Sequence, residues 1–552
     1  MTKKIRPIQT TTFDLVQIAA LLFIPLIISI SLYKIIPIQN VDALSIVSVT
    51  ASLNVILWIL IILQIIANYS LIKSFSFRIV VQINLLILLV YIVSFKILIK
   101  ALTLKGTPLP SSDIRGDLLA VFNLATMAES GYWSGSGYPP LWPSVIGNLA
   151  RILDVYVLAL FKPAEFVILI LAPILILFVW RLILNPVAAL VITLNQTLLT
   201  NFDYKNLTLN LIIPLFIYTI IKIREPTISG KFRFFALGFV LGFISLSYFG
   251  YIYWLLPMLI AGVLLAFFSK DREKYLQRHA LLYLGLAAGL GPVIYYRLIE
   301  NINVYYVIII GLFLISLFSK NFIFLGKLLN IFINIGIFLA LLVALLTFRA
   351  GDTWVEGGIE KNDPTVKSII SLSQTNLVIF LLVIFAFLLL ILFKKDLTII
   401  LILIGVYVSS ATFMYFIASQ MQVTSRVDLW PRALEVQGYA LILIYLFLFL
   451  FLLEGLITEN NLIKYFNLSH INLFYLMTFI LFFVGSYLVS TLGSTAHASM
   501  PYHSFTGAWY AHQGCSNPHE DPMLSKVFEF NPGIQNFLRE NCSAVNWSPI
   551  PN

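Results

Sequence analysis

With 552 residues, 60% of them hydrophobic and only 11% charged, the chain carries more apolar surface than a water-soluble fold can hide; soluble domains run about 45–50% apolar and about 25% charged. Its formal net charge of +10 would suit nucleic acid, but the Lys and Arg residues are scattered through short loops between apolar runs. They form no single basic patch, so no nucleic-acid partner is expected.

Apolar runs of the ~18–25 residues needed to cross ~30 Å of hydrocarbon recur from end to end. Lipid-exposed backbone must satisfy its own hydrogen bonds, so the expected class is an all-α polytopic membrane protein. About 13–15 transmembrane helices are predicted. Their centres fall near Leu22, Ile56, Leu88, Ile170, Val191, Leu215, Phe239, Leu259, Leu286, Ile310, Ile337, Leu388, Ile404, Ile444 and Phe479, the short run after Pro186 and those around Leu286 and Ile310 being the weakest. Lys3, Lys4 and Arg6 precede a first run long enough to span, with no small-residue cleavage site after it, so a retained helix is expected rather than a cleaved signal.

Threaded from a cytoplasmic N-terminus, the loops with Lys73 and Arg78, with Lys222, Arg224, Lys231 and Arg233, with Lys270, Arg272, Lys274 and Arg278, and with Lys394 and Lys395 fall inside. Lys96, Lys100 and Arg297 go the other way. An odd number of spans places the C-terminus outside. The expected organisation is a multi-span domain over 1–491, with an extracytoplasmic loop over 103–163 that carries amphipathic helices, and a small extracytoplasmic domain over 492–552. No internal repeat is visible, which weakly disfavours the repeat-built transporters.

The loop is long, and loops of such length are usually functional or disordered; its aromatic content and amphipathic patterns speak against disorder. Ser111, Ser112 or Asp113 can cap a helix with Leu118, Leu119, Phe122 and Met127 as apolar positions. Pro143 suits a first helical turn, after which Val145, Ile146, Leu149, Ile152 and Leu153 mark one apolar face. Such a helix can lie in the membrane interface. Between the two, Tyr132, Trp133, Tyr138 and Trp142 suit stacking on sugar rings and equally an interfacial aromatic belt. Tyr251 and Trp254, in an outside turn, carry the same two readings.

Asp113 and Asp117 stand at the start of the loop. Each is a candidate general base at the membrane boundary, and equally a helix N-terminal cap contributing about 1 kcal/mol. Arg426 and Arg432, with Trp430 between them, are the best outside cations for a phosphate, although Arg432 equally suits an anchor for the next helix. Arg349, near Asp352, Trp354 and Glu356, is a weaker cluster. The histidines at 497, 503, 512 and 519 match no zinc spacing; no cofactor is certain, and a divalent cation at Asp113 or Asp117 is left open. Cys515 and Cys542, the only two cysteines, both fall in the outside tail. An oxidising compartment allows a disulfide between them, worth roughly 3 kcal/mol in the chain-entropy model.

The stretch Gly106-Thr107-Pro108, then Gly116-Asp117, Ala128-Glu129-Ser130-Gly131 and Tyr138-Pro139 with Trp142, followed by Arg151 and by Pro163 to Phe166, resembles the first large extracytoplasmic loop of the actinobacterial galactan arabinofuranosyltransferases. The likeness is most specific over about sixty residues of that loop. It implies a GT-C membrane glycosyltransferase that takes arabinofuranose from a polyprenyl-phosphate donor and transfers it, with inversion, to an extracytoplasmic glycan. It also implies that Asp117, the acid of the matched Gly-Asp pair, is the base; Asp113 has no such support. The chain departs from the family at Leu118 and Leu119, at Val121-Phe122-Asn123, and at Pro140-Leu141-Trp142-Pro143. A different acceptor or a different lipid-linked sugar is the alternative, and a transporter or flippase is disfavoured because mid-span charges are few.

Overall fold

The computed structural model describes residues 27, 30–31, 33–35, 77–110, 117–131, 140–199, 204–224, 230–247, 272–291, 302–317, 328, 330–332, 515, 527–529 and 532–542. Among these the regular structure is entirely helical. The chain divides into two compact units, one formed by Met1–Trp133, Pro143–Asn206 and Leu456–Asn552, the other by Ser134–Trp142 and Leu207–Gly455.

In the first unit, α1 (Phe77–Thr103), α2 (Asp117–Glu129), α3 (Leu141–Leu153), α4 (Val157–Arg181) and α5 (Pro186–Leu199) follow one another along the chain. Two segments, Leu85–Leu102 of α1 and Val157–Arg181, which is the whole of α4, are long and apolar enough to cross a membrane. They coincide with the runs predicted around Leu88 and Ile170. Hydrophobic residues occupy both faces of α4. Ile168, Leu169, Ala172, Ile176 and Val179 are buried, while Val167, Ile170, Leu171, Ile174 and Phe178 form an exposed stripe at three- and four-residue spacing. A helix of a soluble fold would present polar side chains on that second stripe.

The weakly predicted run after Pro186 is a helix of 14 residues, only about 21 Å long at 1.5 Å per residue. Asn185 caps it, its Oδ1 accepting the Ala188 amide at 3.0 Å, and Pro186 opens it where a missing N–H costs nothing. It packs against α1 and α4. Buried Thr193, Asn195 and Thr197 donate to the carbonyls of Ala189, Val191 and Thr193 at 2.7, 2.9 and 2.7 Å, so this polar run is bonded along its own helix. The Trp180 indole of α4 donates to Oε1 of Gln196.

The second unit contains α6 (Tyr204–Arg224), α7 (Lys231–Ser245), α8 (Arg272–Gly289) and α9 (Ile302–Leu317). Here the structure differs from the loop assignments: Lys231 and Arg233 lie in the first turn of α7, and Arg272, Lys274 and Arg278 lie in α8. Arg278 is buried, donates to the Ile223 carbonyl at the C-terminal end of α6, and lies over the Phe234 ring at 5.2 Å. A cation at a helix C-terminus satisfies carbonyls that have no partner within the helix. The physical reason for the helix extension is therefore a tertiary bond that local charge density does not reveal.

Helices α7 and α8 meet through glycines on both sides. A Cβ at Gly238 would lie 1.9 Å from the Leu282 carbonyl oxygen, one at Gly242 2.4 Å from that of Leu286, one at Gly285 2.0 Å from that of Phe235, and one at Gly289 2.4 Å from that of Phe239. The four positions form two small-xxx-small pairs, the pattern that lets helix backbones touch in lipid. Across α8 and α9, the hydroxyls of Tyr305 and Tyr306 donate to the carbonyls of Ala287 and Ala288 at 2.6 and 3.3 Å.

The last element, α10 (Pro532–Asn541), belongs to the first unit. Its Ile534 and Leu538 are buried, and Cys542 just beyond it is bonded to Cys515, with Cα atoms 5.6 Å apart. The expected disulfide is thus present.

Candidate functional site

The loop between α1 and α4 is built on a braced turn. After α1 the chain turns through Gly106, whose φ of +84° favours glycine. The buried Thr107 hydroxyl accepts the Leu109 amide at 3.1 Å, and Leu104 and Leu109 are fully buried. From α4, the Lys162 ammonium donates to the carbonyls of Leu104 and Thr107 at 2.8 and 2.7 Å. About one turn along α4, Glu165 pairs with Lys100 of α1 at 2.7 Å, each side chain only 16% exposed. The lysine that defied the positive-inside pattern is therefore neutralised across the helix pair. Lys105 completes the brace, donating to the Tyr33 carbonyl at 2.9 Å.

Helix α2 starts at Asp117. The Asp117 side chain and the whole of Asp113 lie outside the described residues. Leu118, Val121, Phe122, Leu124, Ala125 and Ala128 are buried, so two of the expected apolar positions, Leu118 and Phe122, form part of the core face. The helix closes on Gly131, at φ +77°, with the Ser130 hydroxyl donating to the Met127 carbonyl at 2.8 Å.

Helix α3 touches α2 through a glycine. A Cβ on Gly147 would stand 2.1 Å from the Ala125 carbonyl oxygen and 2.8 Å from the Ala128 methyl. Ile146 and Ala150 flank that contact and are buried, whereas Val145, Leu149, Ile152 and Leu153 are exposed. The apolar face foreseen from the sequence is thus turned outward apart from Ile146. Small residues face the protein, and large aliphatic ones face away from it. Exposed Arg151 donates to Asn148 Oδ1 at 2.9 Å. The helix ends with Asp154 at φ +53°, a left-handed position that Asp tolerates better than most residues.

Tyr156 precedes α4 and joins three elements. Its ring meets Phe122 of α2 edge-on at 5.9 Å between centroids and Phe537 of α10 at 5.3 Å. Burial, reinforced by the nearby Glu129 carboxylate, pushes its hydroxyl up to about 12, so the phenol stays neutral throughout the physiological range.

No protein-family model, curated protein or solved structure matches this chain. The site therefore stands on its own residues.

Of the residues singled out from the sequence, the structure places Asp117 at the start of α2 and Trp142, half-buried, in the first turn of α3. Tyr138, Tyr251, Trp254, Arg426, Arg432 and Arg349 lie outside the described residues. Among the described residues no group of three His, Cys, Asp or Glu side chains could hold a metal ion. Sequence reasoning missed Lys162, Tyr156 and Phe537. Glu165 was within the Pro163–Phe166 stretch, and the displaced Lys100 was the signal that an acid partner should be sought for it. Nothing local marks Tyr156 or Phe537, because their pairing joins distant parts of the chain.

Proposed function

We propose that this protein is a polytopic membrane glycosyltransferase of the GT-C type that moves arabinofuranose from polyprenyl-phospho-arabinofuranose to an extracytoplasmic glycan. Asp117 takes the proton from the acceptor hydroxyl as its oxygen bonds to the anomeric carbon. The bond from that carbon to the phosphate oxygen breaks on the opposite face, and polyprenyl phosphate leaves with the electron pair. Inversion follows from this single displacement. Arg426 and Arg432 are the proposed cations for the leaving phosphate, and Tyr138, Trp142, Tyr251 and Trp254 the proposed walls for sugar and lipid.

The observation that carries the reading is the coincidence of the family-like landmarks with the architecture of the loop. Gly106-Thr107-Pro108 is the braced turn, Gly131 the end of α2, Trp142 the start of α3 and Glu165 the partner of Lys100. Asp117, at the head of α2, is the base that the resemblance implies. The outward apolar face of α3 suits a helix lying in the membrane interface, where a lipid-linked sugar would be met. A transport reading gains nothing from buried α5, since three of its polar side chains bond their own helix.

The test is transfer by the purified chain from synthetic polyprenyl-phospho-arabinofuranose. Asp117→Asn should lower turnover by about 100-fold or more, the usual worth of a positioned base, while Asp113→Asn should leave most of it. Undiminished turnover by Asp117→Asn would remove the base. Turnover with another lipid-linked sugar and none with arabinofuranose would replace the donor; the departures at Leu118 and at Pro140 to Pro143 bear on the acceptor instead.

A further inference from the structure

Helix α2 is gripped from two sides. On one side Gly147 of α3 lets the two backbones touch. On the other, the contact runs through a row of rings from the far end of the chain: Phe537 of α10, Tyr156 before α4, and Phe122 of α2, with centroid separations of 5.3 and 5.9 Å. Phe122 is buried, and it stands five residues beyond Asp117 on the same short helix. Helix α10 is itself fixed. Ile534 and Leu538 anchor one face, Cys542 donates its amide to Leu538 at 2.9 Å, and its side chain is tied to Cys515. Gly533 keeps the approach open, because a Cβ there would come within 3.2 Å of the Tyr156 hydroxyl oxygen. Aromatic pairs at these separations attract each other beyond the effect of area burial. That is enough to shift the equilibrium of a two-turn contact several-fold, and too little to hold up a whole unit.

We propose that Phe537 and Tyr156 are positioning residues: the stack of α10 on Tyr156, and of Tyr156 on Phe122, holds α2 in place and so sets where Asp117 meets its substrate. The C-terminal segment then acts on the chemistry from a distance, through two rings, without touching the reacting atoms. The catalytic half of this statement rests on the reading of Asp117 as the base; the mechanical half does not.

The two halves separate in one experiment on the full chain in nanodiscs. Amide hydrogen exchange is followed in α2, with α7 and α8 as internal references, for wild type, Phe537→Ala, Phe537→Tyr and Tyr156→Leu. Phe537→Ala and Tyr156→Leu should speed exchange in α2 by about tenfold, as expected for a weakened local contact, leave α7 and α8 unchanged, and lower kcat with little change in donor KM. Phe537→Tyr, which keeps the ring, should restore both. Unchanged α2 exchange in Phe537→Ala overturns the proposal, as does loosening that spreads to α7 and α8. If Phe537→Ala does not accumulate, Phe537→Leu is read by the same criteria. If α2 loosens as stated but Asp117→Asn remains fully active, the mechanical coupling stands and the base assignment alone is lost.

Discussion

Lys100 and Glu165 illustrate what a half-buried charge demands of its neighbours. Each is largely removed from water, and each is neutralised by the other across α1 and α4 at 2.7 Å. Removing either partner leaves the other charge half-buried without this ion pair, whereas removing both leaves a contact that apolar side chains can fill. Lys100→Met and Glu165→Gln should therefore each destabilise by about 1–3 kcal/mol, discounted from the fully buried case because both side chains keep some solvent. The double variant should cost clearly less than the two added together, and thermal unfolding in detergent read as a double-mutant cycle measures the difference. Strict additivity would mean that the ion pair carries no coupling. The residue scale was partly legible in advance. Lys100 announced itself by sitting on the wrong side of the charge pattern, whereas the turn at Gly106 came into view only with the structure. Lys162 did not, because a lysine in the first turns of a span looks like an interfacial anchor until the carbonyls it binds are in view.

Element by element, hydropathy located the described helices well and their ends poorly. Runs predicted around Leu88, Ile170, Val191, Leu215, Phe239, Leu286 and Ile310 all coincide with helices. The differences came at α7 and α8, where basic residues read as loop are helical, and Arg278 of α8 reaches a carbonyl on α6. The Gly238–Gly242 and Gly285–Gly289 spacings were present in the sequence and predict close packing, yet spacing alone cannot name the partner helix. The structure pairs them with each other. A methyl at Gly285 would drive into the Phe235 carbonyl, so Gly285→Ala should cost about 1–3 kcal/mol, as overpacked sites do. Gly311, where a Cβ would meet nothing within 4 Å, is the control: Gly311→Ala should be neutral or stabilise by up to about 1 kcal/mol. Thermal denaturation of the two variants in one detergent compares them directly. Equal effects would show that the glycine contact between α7 and α8 is not tight in solution.

For the molecule as a whole, the proposed function requires the loop to face away from the cytosol, and the cysteine inventory makes that measurable. The chain has only two cysteines, and both are consumed by the bond between residues 515 and 542. A single cysteine introduced at exposed Thr126 or Ser130 therefore reports without background. In intact cells it should react with a membrane-impermeant maleimide, whereas one introduced at exposed Glu273 of α8 should react only after the cells are opened. Labelling in the reverse order would place the candidate site on the cytosolic side and end the glycosyltransferase proposal. This scale was the least legible from sequence: composition is the argument for a bilayer, and the assignment of sides rests on a handful of loop charges.

The ring contact between Tyr156 and Phe537 also has a consequence for biogenesis. A ribosome delivers Phe537 about 380 residues after Tyr156, so the ring that stacks on Tyr156 arrives long after α2 has been made. Contacts this remote along the chain are slow to form and leave their partners uncovered meanwhile. A polypeptide cut short before Pro532 would carry Tyr156 without the ring that packs on it, and so without one of the contacts that reach α2.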